Sequence, residues 1–182
     1  MIKAVIFAAG TVGITLISWR SLRDWQAHGF YRFFAFESIM ALILVNVDRW
    51  FADPFSLLQV ISWVLLLSSL LMAAEGYHLL RVVGKPKAPT AGSTDMAFEN
   101  TTKLVKVGAY KRIRHPLYAS LLLLAWGAFF KDASSVTAGL LLLATLFLAI
   151  TARVEEAENL KKFGEDYALY MKETRMFVPF IF

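Results

Sequence analysis

Five stretches of this chain carry almost no charge, and they limit what it can fold into. Four contain no Asp, Glu, Lys or Arg and the fifth is interrupted only by Glu37; they cover residues 4–19, 33–47, 55–74, 116–130 and 133–152. A helix needs roughly 20 apolar residues to cross a bilayer, and a shorter one must tilt or use flanking aromatic residues. The composition agrees, because 58% hydrophobic residues and a mean hydropathy of +0.56 exceed what a water-soluble chain of 182 residues can bury.

We therefore predict an all-α fold: a polytopic membrane bundle of about five transmembrane helices in a single membrane domain, residues 1–182. The first stretch follows Lys3 but lacks a small-residue cleavage site before Trp19, so we expect a retained helix and not a signal peptide. The chain has no cysteine, which excludes disulfides and a cysteine nucleophile.

The basic residues predict the orientation of this bundle. With five spans, all but three of the 19 Lys and Arg residues fall on one side, and only Lys3, Arg49 and Lys131 fall on the other. Basic loops stay in the cytoplasm, so we expect the N-terminus outside and the long loop and C-terminus inside. The net charge of +5 is then explained by orientation and by anionic lipid heads, and not by nucleic-acid binding.

The most informative motif, GAYKRIRHPLY at residues 108–118, lies where the long loop runs into the fourth span. Gly108 favours a turn, and Pro116 favours the first helical position because its missing N–H would be unpaired there anyway. We expect the helix to begin at His115 or Pro116, with free amides that suit a carboxylate or phosphate. Lys111 and Arg112 are better explained as charges that orient the helix.

The fifth span ends in a second charged cluster, Arg153, Glu155, Glu156 and Glu158. Spans four and five form a hairpin, so we expect this cluster to lie on the cytoplasmic side, close to the motif at residues 108–118. Leu160, Phe163, Tyr167 and Tyr170 then follow helical spacing, which predicts a C-terminal amphipathic helix that packs through its aromatic face and is interrupted at Gly164.

Three isolated polar residues keep more than one explanation. Glu37, alone in an apolar stretch, has a function, pairs with Arg32, or lies near the membrane interface. Two explanations stay open for Glu75 and His78, near the cytoplasmic end of span three: they contribute to the same site as residues 108–118, or they lie apart from it.

The C-terminal half resembles the integral membrane methyltransferases that include isoprenylcysteine carboxyl methyltransferase and the phospholipid N-methyltransferases. The resemblance rests on residues 103–127, with G-x-Y-x-x-x-R-H-P-x-Y, and on residues 155–179, with E-E, F-G-x-x-Y-x-x-Y and a final aromatic-x-P. It implies S-adenosylmethionine as cofactor and a lipid or lipidated acceptor from the bilayer. Residues 82–182 would then bind the cofactor, and residues 1–81, with spans one to three, would form the part where the acceptor enters.

The cofactor contacts that the resemblance implies match the chemistry of the residues. Cationic side chains and helix amides suit the carboxylate of the cofactor, acidic side chains its ammonium, and aromatic faces its sulfonium and adenosine. The candidate binding residues are Lys106, Val107, Gly108, Tyr110, Arg114, His115, Pro116, Tyr118, Glu155 and Glu156.

The candidate catalytic residues are Glu156, Glu155 and Arg153. Methyl transfer is a displacement at carbon, to which positioning and desolvation contribute most. A carboxylate acceptor needs no base, whereas an amine acceptor must lose a proton, for which either glutamate is a candidate base. Arg153 would attract an anionic acceptor, and no metal is needed.

Two other function classes remain open at this point. A nicotinamide-dependent membrane reductase of the sterol reductase type shares a distant likeness in the same C-terminal region, although such reductases are normally much larger. A non-enzymatic membrane subunit would use the basic loop only to bind anionic lipid.

Overall fold

The computed structural model describes residues 1–88 and 96–178, and this part of the chain folds into helices without a β-strand. The predicted all-α fold is confirmed. The six helices, numbered in chain order, are α1 (Ile2–Ser18), α2 (His28–Asn46), α3 (Leu57–Val82), α4 (Pro116–Phe129), α5 (Ser135–Phe163) and α6 (Glu165–Glu173). Three short 3-10 turns, Ser21–Arg23, Val47–Arg49 and Gly108–Lys111, lie between them.

Each of the five apolar stretches forms a helix, but among the described residues only three helices are long and apolar enough to cross a membrane. These are α2 with the turn that follows it (His28–Arg49), α3 and α5. The helices α1 and α4 have 17 and 14 residues. At 1.5 Å per residue, α4 reaches only about 21 Å of the roughly 30 Å hydrocarbon core. The number of full-length spans is therefore below the predicted five.

The short helix α4 packs against α2, α3 and α5. Small residues let the neighbours approach closely: a Cβ on Gly127 would lie 2.8 Å from Cγ of Leu66. Ser62 and Ser69 of α3 donate hydrogen bonds to the carbonyls of Gly127 (2.7 Å) and Ser120 (2.8 Å). Such bonds are favoured in an apolar environment because neither group could otherwise find a partner. They fix the position of α4, and with it the start of the helix at Pro116.

Of the three explanations left open for Glu37, the structure does not support pairing with Arg32. The carboxylate of Glu37 accepts a hydrogen bond of 2.8 Å from Thr11 of α1, whereas Arg32 binds Glu99. Because Arg32 is taken by a residue 67 positions away, the intramembrane acid joins the first two helices instead.

At the far end of the bundle, Lys131 is buried (4% exposed) although it was assigned to a loop facing the outside. Its ammonium group donates to Oε1 of Gln59 (3.0 Å) and lies 3.8 Å from the ring centroid of Trp63. Burial lowers the pKa of Lys131. The aromatic face and the amide compensate in part for its lost hydration.

At the motif end, the predicted helix start and both predicted breaks are confirmed. Pro116 is the first residue of α4, and Gly108 and Gly164 both have a φ of +58°. Gly164 ends α5 and begins α6, so the chain turns there and returns towards the start of α4. The segment after α6 pairs with residues 112–115: Arg114 and His115 donate their backbone N–H groups to the carbonyls of Arg175 (2.7 Å) and Met176 (3.2 Å).

Candidate functional site

The turn before α4, the start of α4, the end of α5 and helix α6 surround a partly open cavity. Its walls are aromatic and apolar with a few charged groups: Leu80, Glu99, Thr101, Leu104, Val105, Tyr110, Arg114, His115, Leu117, Tyr118, Glu155, Asn159, Phe163, Tyr167 and Tyr170.

The turn Gly108–Lys111 is held from α3. Oε1 of Glu75 accepts the backbone N–H of Ala109 at 3.0 Å, and a Cβ on Gly108 would lie only 2.6 Å from the same oxygen. A glycine is needed here both for its positive φ and for this close approach. Glu75 thus contacts the site through the backbone of the turn that holds Tyr110, whereas His78 does not line the cavity. The consequence is that Tyr110 is presented to the cavity from a fixed turn.

Arg114 connects α4 to α5 and to the segment after α6. Its Nε donates to Glu156 (2.6 Å), and its Nη1 donates to the carbonyls of Thr174 (2.6 Å) and Met171 (3.3 Å). The guanidinium and the carboxylate are both mostly buried, with 11% and 9% of the side chains exposed. A buried pair of this kind needs both partners, since either one alone would be an uncompensated charge.

Glu156 is therefore engaged in holding other residues in place. Besides Arg114 it contacts His115, whose Nε2 lies 3.4 Å from its carboxylate. It does not line the cavity, whereas Glu155 does, with Nδ1 of His115 at 3.8 Å. Of the two predicted glutamates, only Glu155 presents its carboxylate to the cavity.

Helix α6 closes the site through its tyrosines. The hydroxyl of Tyr170 donates to the carbonyls of Tyr110 (2.6 Å) and Ile113 (3.3 Å), so the helix is joined to the turn before α4. Burial raises the pKa values of Tyr110, Tyr167 and Tyr170, which keeps their hydroxyls protonated. The walls they form are neutral aromatic faces with hydroxyl groups.

Two residues that line the cavity have a buried polar atom without a hydrogen bond. The rings of His115 and Tyr118 stack, with centroids 5.4 Å apart and 16° between their planes. Nε2 of His115 and the hydroxyl of Tyr118 are buried, and neither has a hydrogen bond of good geometry to the residues described. Buried polar atoms are seldom left unpaired, because each unmade hydrogen bond costs about 1–3 kcal/mol. Both residues line a cavity, so a bound molecule is the natural partner.

The structure brings together half of the predicted cofactor-binding residues on one wall: Tyr110, Arg114, His115, Tyr118 and Glu155. Val107, Gly108 and Pro116 support this wall without lining it. Lys106 lies outside, with its ammonium group 3.4 Å from the carbonyl of Asp166 and 5.7 Å from the ring of Tyr170. Arg153 is exposed and does not line the cavity.

A buried ionic cluster beside the cavity was not predicted. Glu99, in the loop before the motif, binds Nη1 of Arg32 and lies 3.5 Å from Nε2 of His28. Nδ1 of His28 in turn lies 2.6 Å from Glu158. Neither histidine spacing nor a motif pointed to this cluster. The only signal was an uncompensated Arg32 next to an apolar stretch.

Further wall residues were interpreted only as packing. Phe163, Tyr167 and Tyr170 form the aromatic stripe expected of the C-terminal helix, and all three line the cavity. Asn159, one turn before Phe163, also lines it. The stripe and the cavity wall are the same surface, so a packing explanation and a binding explanation were not exclusive. The final proline of the predicted aromatic-x-P, Pro179, lies outside the described residues.

Comparison with known proteins finds a family that covers most of the chain. A family model described as "Protein of unknown function (DUF1295)" matches residues 15–174. No solved structure matches.

Three curated relatives are named as methanethiol S-methyltransferases. The chain is 27% identical over 186 aligned residues to methanethiol S-methyltransferase 1 of Bradyrhizobium diazoefficiens, which covers 96% of this chain and 53% of that protein. It is 38% identical over 73 residues to the methanethiol S-methyltransferase of a Pseudomonas strain (GM41), and 33% identical over 73 residues to that of Pseudomonas deceptionensis; each match covers 38% of this chain and 26% of the relative. The chain thus spans about half the length, or less, of the curated relatives it matches.

Proposed function

Because the chain belongs to the DUF1295 family, whose model matches residues 15–174, we propose that it shares the reaction class for which its curated relatives are named. In this proposal it transfers a methyl group from S-adenosylmethionine to a membrane-soluble acceptor. The relatives' names support methyl transfer, and the membrane helices support an acceptor that dissolves in the bilayer.

The observation that carries this proposal is the pair of buried polar atoms without a hydrogen bond, Nε2 of His115 and the Tyr118 hydroxyl, on two residues that line the cavity. S-adenosylmethionine has a carboxylate, an ammonium, a sulfonium and an adenosine, and so needs several hydrogen-bonding groups among aromatic walls. The cavity offers them on adjacent residues, together with the tyrosines of α6. The residues present fit the cofactor.

Charge supports the same ligand. Three basic side chains near the cavity are paired with carboxylates: Arg114 with Glu156, Arg32 with Glu99 and His28 with Glu158. Glu155 has no Lys or Arg partner in the part of the chain that the structure describes. One uncompensated carboxylate matches a ligand whose carboxylate, ammonium and sulfonium sum to a single positive charge.

Each wall residue has a proposed role. Arg114 uses Nε and Nη1 for Glu156 and two carbonyls, so its Nη2 is left for the cofactor carboxylate. The rings of Tyr110, Tyr118, Tyr167 and Tyr170 would face the sulfonium and the adenosine. Glu156 keeps a proposed part in the reaction by holding Arg114 and His115 in place.

When bound, the cofactor would supply a methyl group on a positively charged sulfur, which would become neutral as the methyl group passes to the acceptor. Glu155 would take the proton of an acceptor that carries one, and the exposed Arg153 would attract an anionic acceptor. Closely packed walls would exclude water and hold the two reactants in line. This positioning would be the largest contribution of the protein to the rate of methyl transfer.

Two acceptor classes follow from separate observations. The names of the relatives favour a small thiol, whereas the resemblance of the two motifs favours a lipid, either a prenylcysteine carboxylate or a phospholipid amine. In both cases residues 82–182 would bind the cofactor and the helices within residues 1–81 would guide the acceptor.

The first experiment measures the melting temperature of the purified protein in detergent with and without cofactors. S-adenosylmethionine should raise it by several degrees at saturation, because a ligand that binds only the folded state stabilises it. NADPH should leave it unchanged. A shift with NADPH alone would support the membrane reductase instead, and no shift with either would support the lipid-binding subunit.

A second experiment distinguishes the acceptors. The protein is incubated with S-adenosylmethionine labelled in the methyl group, together with either methanethiol or a total membrane lipid extract, and the labelled product is identified by mass spectrometry. Label in dimethyl sulfide supports the thiol, and label in a lipid supports the lipid. Absence of label in both, despite cofactor binding, contradicts the proposed acceptors.

A further inference from the structure

The carboxylate of Glu99 contributes a part of the cavity wall that neither sequence motif includes. Glu99 lies in the short segment before the motif, among the residues that line the cavity, and 13% of its side chain is exposed. Two tyrosines, Tyr110 and Tyr118, line the same cavity. A carboxylate on the wall of a binding cavity can meet a cation directly.

Three groups hold this carboxylate in position. One oxygen binds Nη1 of Arg32, while the other accepts the backbone N–H of Met96 (2.9 Å) and lies 3.5 Å from Nε2 of His28. Burial by itself would raise the pKa of Glu99, but Arg32 and His28 outweigh it and lower the pKa to about 2. The carboxylate of Glu99 is therefore charged at neutral pH.

This arrangement is more than a charge pair that fastens a loop. A carboxylate has about four acceptor positions on its two oxygens, and two hydrogen bonds and one longer ionic contact leave capacity for a ligand. Arg32 and His28 belong to α2, and neither lines the cavity. The cations thus lie behind the carboxylate, and the carboxylate is the part of the cluster that a bound molecule meets.

We propose that Glu99 is a cation-recognising residue of the cavity, which binds the ammonium or the sulfonium of the cofactor and is held for this purpose by Arg32 and His28 of α2. This inference rests on the proposed function and deepens it. It also means that the N-terminal half of the chain contributes to cofactor binding through α2. The sequence had predicted that residues 82–182 alone bind the cofactor.

The test compares three ligands that differ only in charge and in the amino-acid part. S-adenosylmethionine carries both the ammonium and the sulfonium, S-adenosylhomocysteine only the ammonium, and 5′-methylthioadenosine neither. Dissociation constants are measured by calorimetry on the full chain in detergent for the wild type and for Glu99→Gln. Glu99→Gln should weaken S-adenosylmethionine about tenfold or more, because a charge-assisted hydrogen bond is lost. It should leave 5′-methylthioadenosine within about twofold.

Each outcome decides one question. Selective loss for S-adenosylmethionine and S-adenosylhomocysteine supports recognition of the ammonium, and selective loss for S-adenosylmethionine alone supports recognition of the sulfonium. An equal loss for all three ligands would mean that Glu99 only maintains the fold, and no loss for any would remove it from the site; either result overturns the inference. If the wild type binds none of the three, the proposed function itself fails.

A matched control is Glu158→Gln. Glu158 also pairs with His28 but does not line the cavity, so this variant should lower the melting temperature without a selective loss for the charged ligands. If Glu99→Gln does not fold, Glu99→Asp keeps the charge on a shorter side chain. It should show a smaller loss with the same selectivity, and a loss without that selectivity would again contradict the inference.

Discussion

At the scale of single residues, the site separates groups that maintain the structure from groups left available for a ligand. Arg114 and Glu156 satisfy each other and two backbone carbonyls, so their main effect is to fix the wall. His115 and Tyr118 stand beside them with polar atoms that nothing in the described residues satisfies. Folding does not depend on those two polar atoms. Substitutions of His115 and Tyr118 can therefore separate an effect on ligand binding from an effect on stability.

Tyr118→Phe tests this separation. Removing a buried hydroxyl without a partner should leave the melting temperature equal or slightly higher, since an unpaired polar group costs free energy in the folded state. Affinity for S-adenosylmethionine should fall about tenfold, which corresponds to roughly 1.4 kcal/mol for one lost hydrogen bond. Thermal unfolding and calorimetry measure the two effects.

Tyr31→Phe, at a tyrosine that does not line the cavity, serves as the control for that experiment. It should change neither quantity by more than the error of the measurement. If Tyr118→Phe keeps full affinity, the hydroxyl has no ligand to bind and the cavity has been assigned the wrong occupant.

At the scale of elements, the break between α5 and α6 decides whether the aromatic stripe reaches the cavity. Gly164 has φ +58° and ψ −131°, a combination that is costly for any residue with a side chain. The added Cβ would meet nothing within 4 Å, so a substitution there acts through the backbone alone.

Gly164→Ala should therefore destabilise the protein by about 1–3 kcal/mol and weaken cofactor binding, because Tyr167 and Tyr170 would lose their positions. Gly139→Ala is its counterpart in the middle of α5, where a Cβ also meets nothing within 4 Å but the backbone is helical. That change should stabilise by about 0.5–1 kcal/mol. Chemical unfolding in mixed micelles gives both values, and equal signs would contradict the argument.

The same elements explain which features were predictable from the sequence. The start of α4 at Pro116 and the breaks at Gly108 and Gly164 follow from backbone preferences of single residues, which act locally. The pairing of Arg32 with Glu99 joins residues 67 positions apart, and that of His28 with Glu158 joins residues 130 apart. Such pairs depend on how the helices pack, and no local pattern encodes them. For this reason the sequence predicted one wall of the cavity well and missed the wall that contains Glu99.

At the scale of the whole molecule, the cluster of Arg32, His28, Glu99 and Glu158 joins α2, the long loop and α5. Its contribution to stability depends on pH. The pKa of Glu99 is lowered from 4.5 to about 2, so the carboxylate stabilises the folded state fully above its ordinary pKa and loses this effect as the pH falls towards 2.

We expect the melting temperature of the wild type to fall as the pH is lowered from about 4.5 to 2. The melting temperature of Glu99→Gln should be lower at neutral pH, but it should fall less over this range because residue 99 then has no carboxylate to protonate. Glu173→Gln, at an exposed residue at the end of α6, should follow the wild type. Calorimetry or fluorescence in detergent across this range measures the difference. Parallel curves for the wild type and Glu99→Gln would show that other carboxylates dominate the acid transition.

The orientation of the molecule remains a prediction, with the N-terminus outside and the long loop inside. The chain has no cysteine, so single cysteines can report it directly. Ser56→Cys, before α3, should react with a membrane-impermeant maleimide added to intact cells, and Lys87→Cys, after α3, should react only after permeabilisation. Both positions are exposed in the structure. The reverse pattern would invert the topology and place the cavity on the other side of the membrane.

The backbone pairing between residues 112–115 and residues 174–176 has a consequence for biosynthesis. The start of α4 leaves the ribosome well before the strand-like segment that completes its hydrogen bonds. Until Met176 has been translated and has left the ribosome, the amides of Arg114 and His115 lack their partners, and the cavity lacks the wall that α6 provides. The apolar helices therefore leave the ribosome before the cavity can form, so a nascent or prematurely terminated chain has its candidate membrane spans but an incomplete cavity.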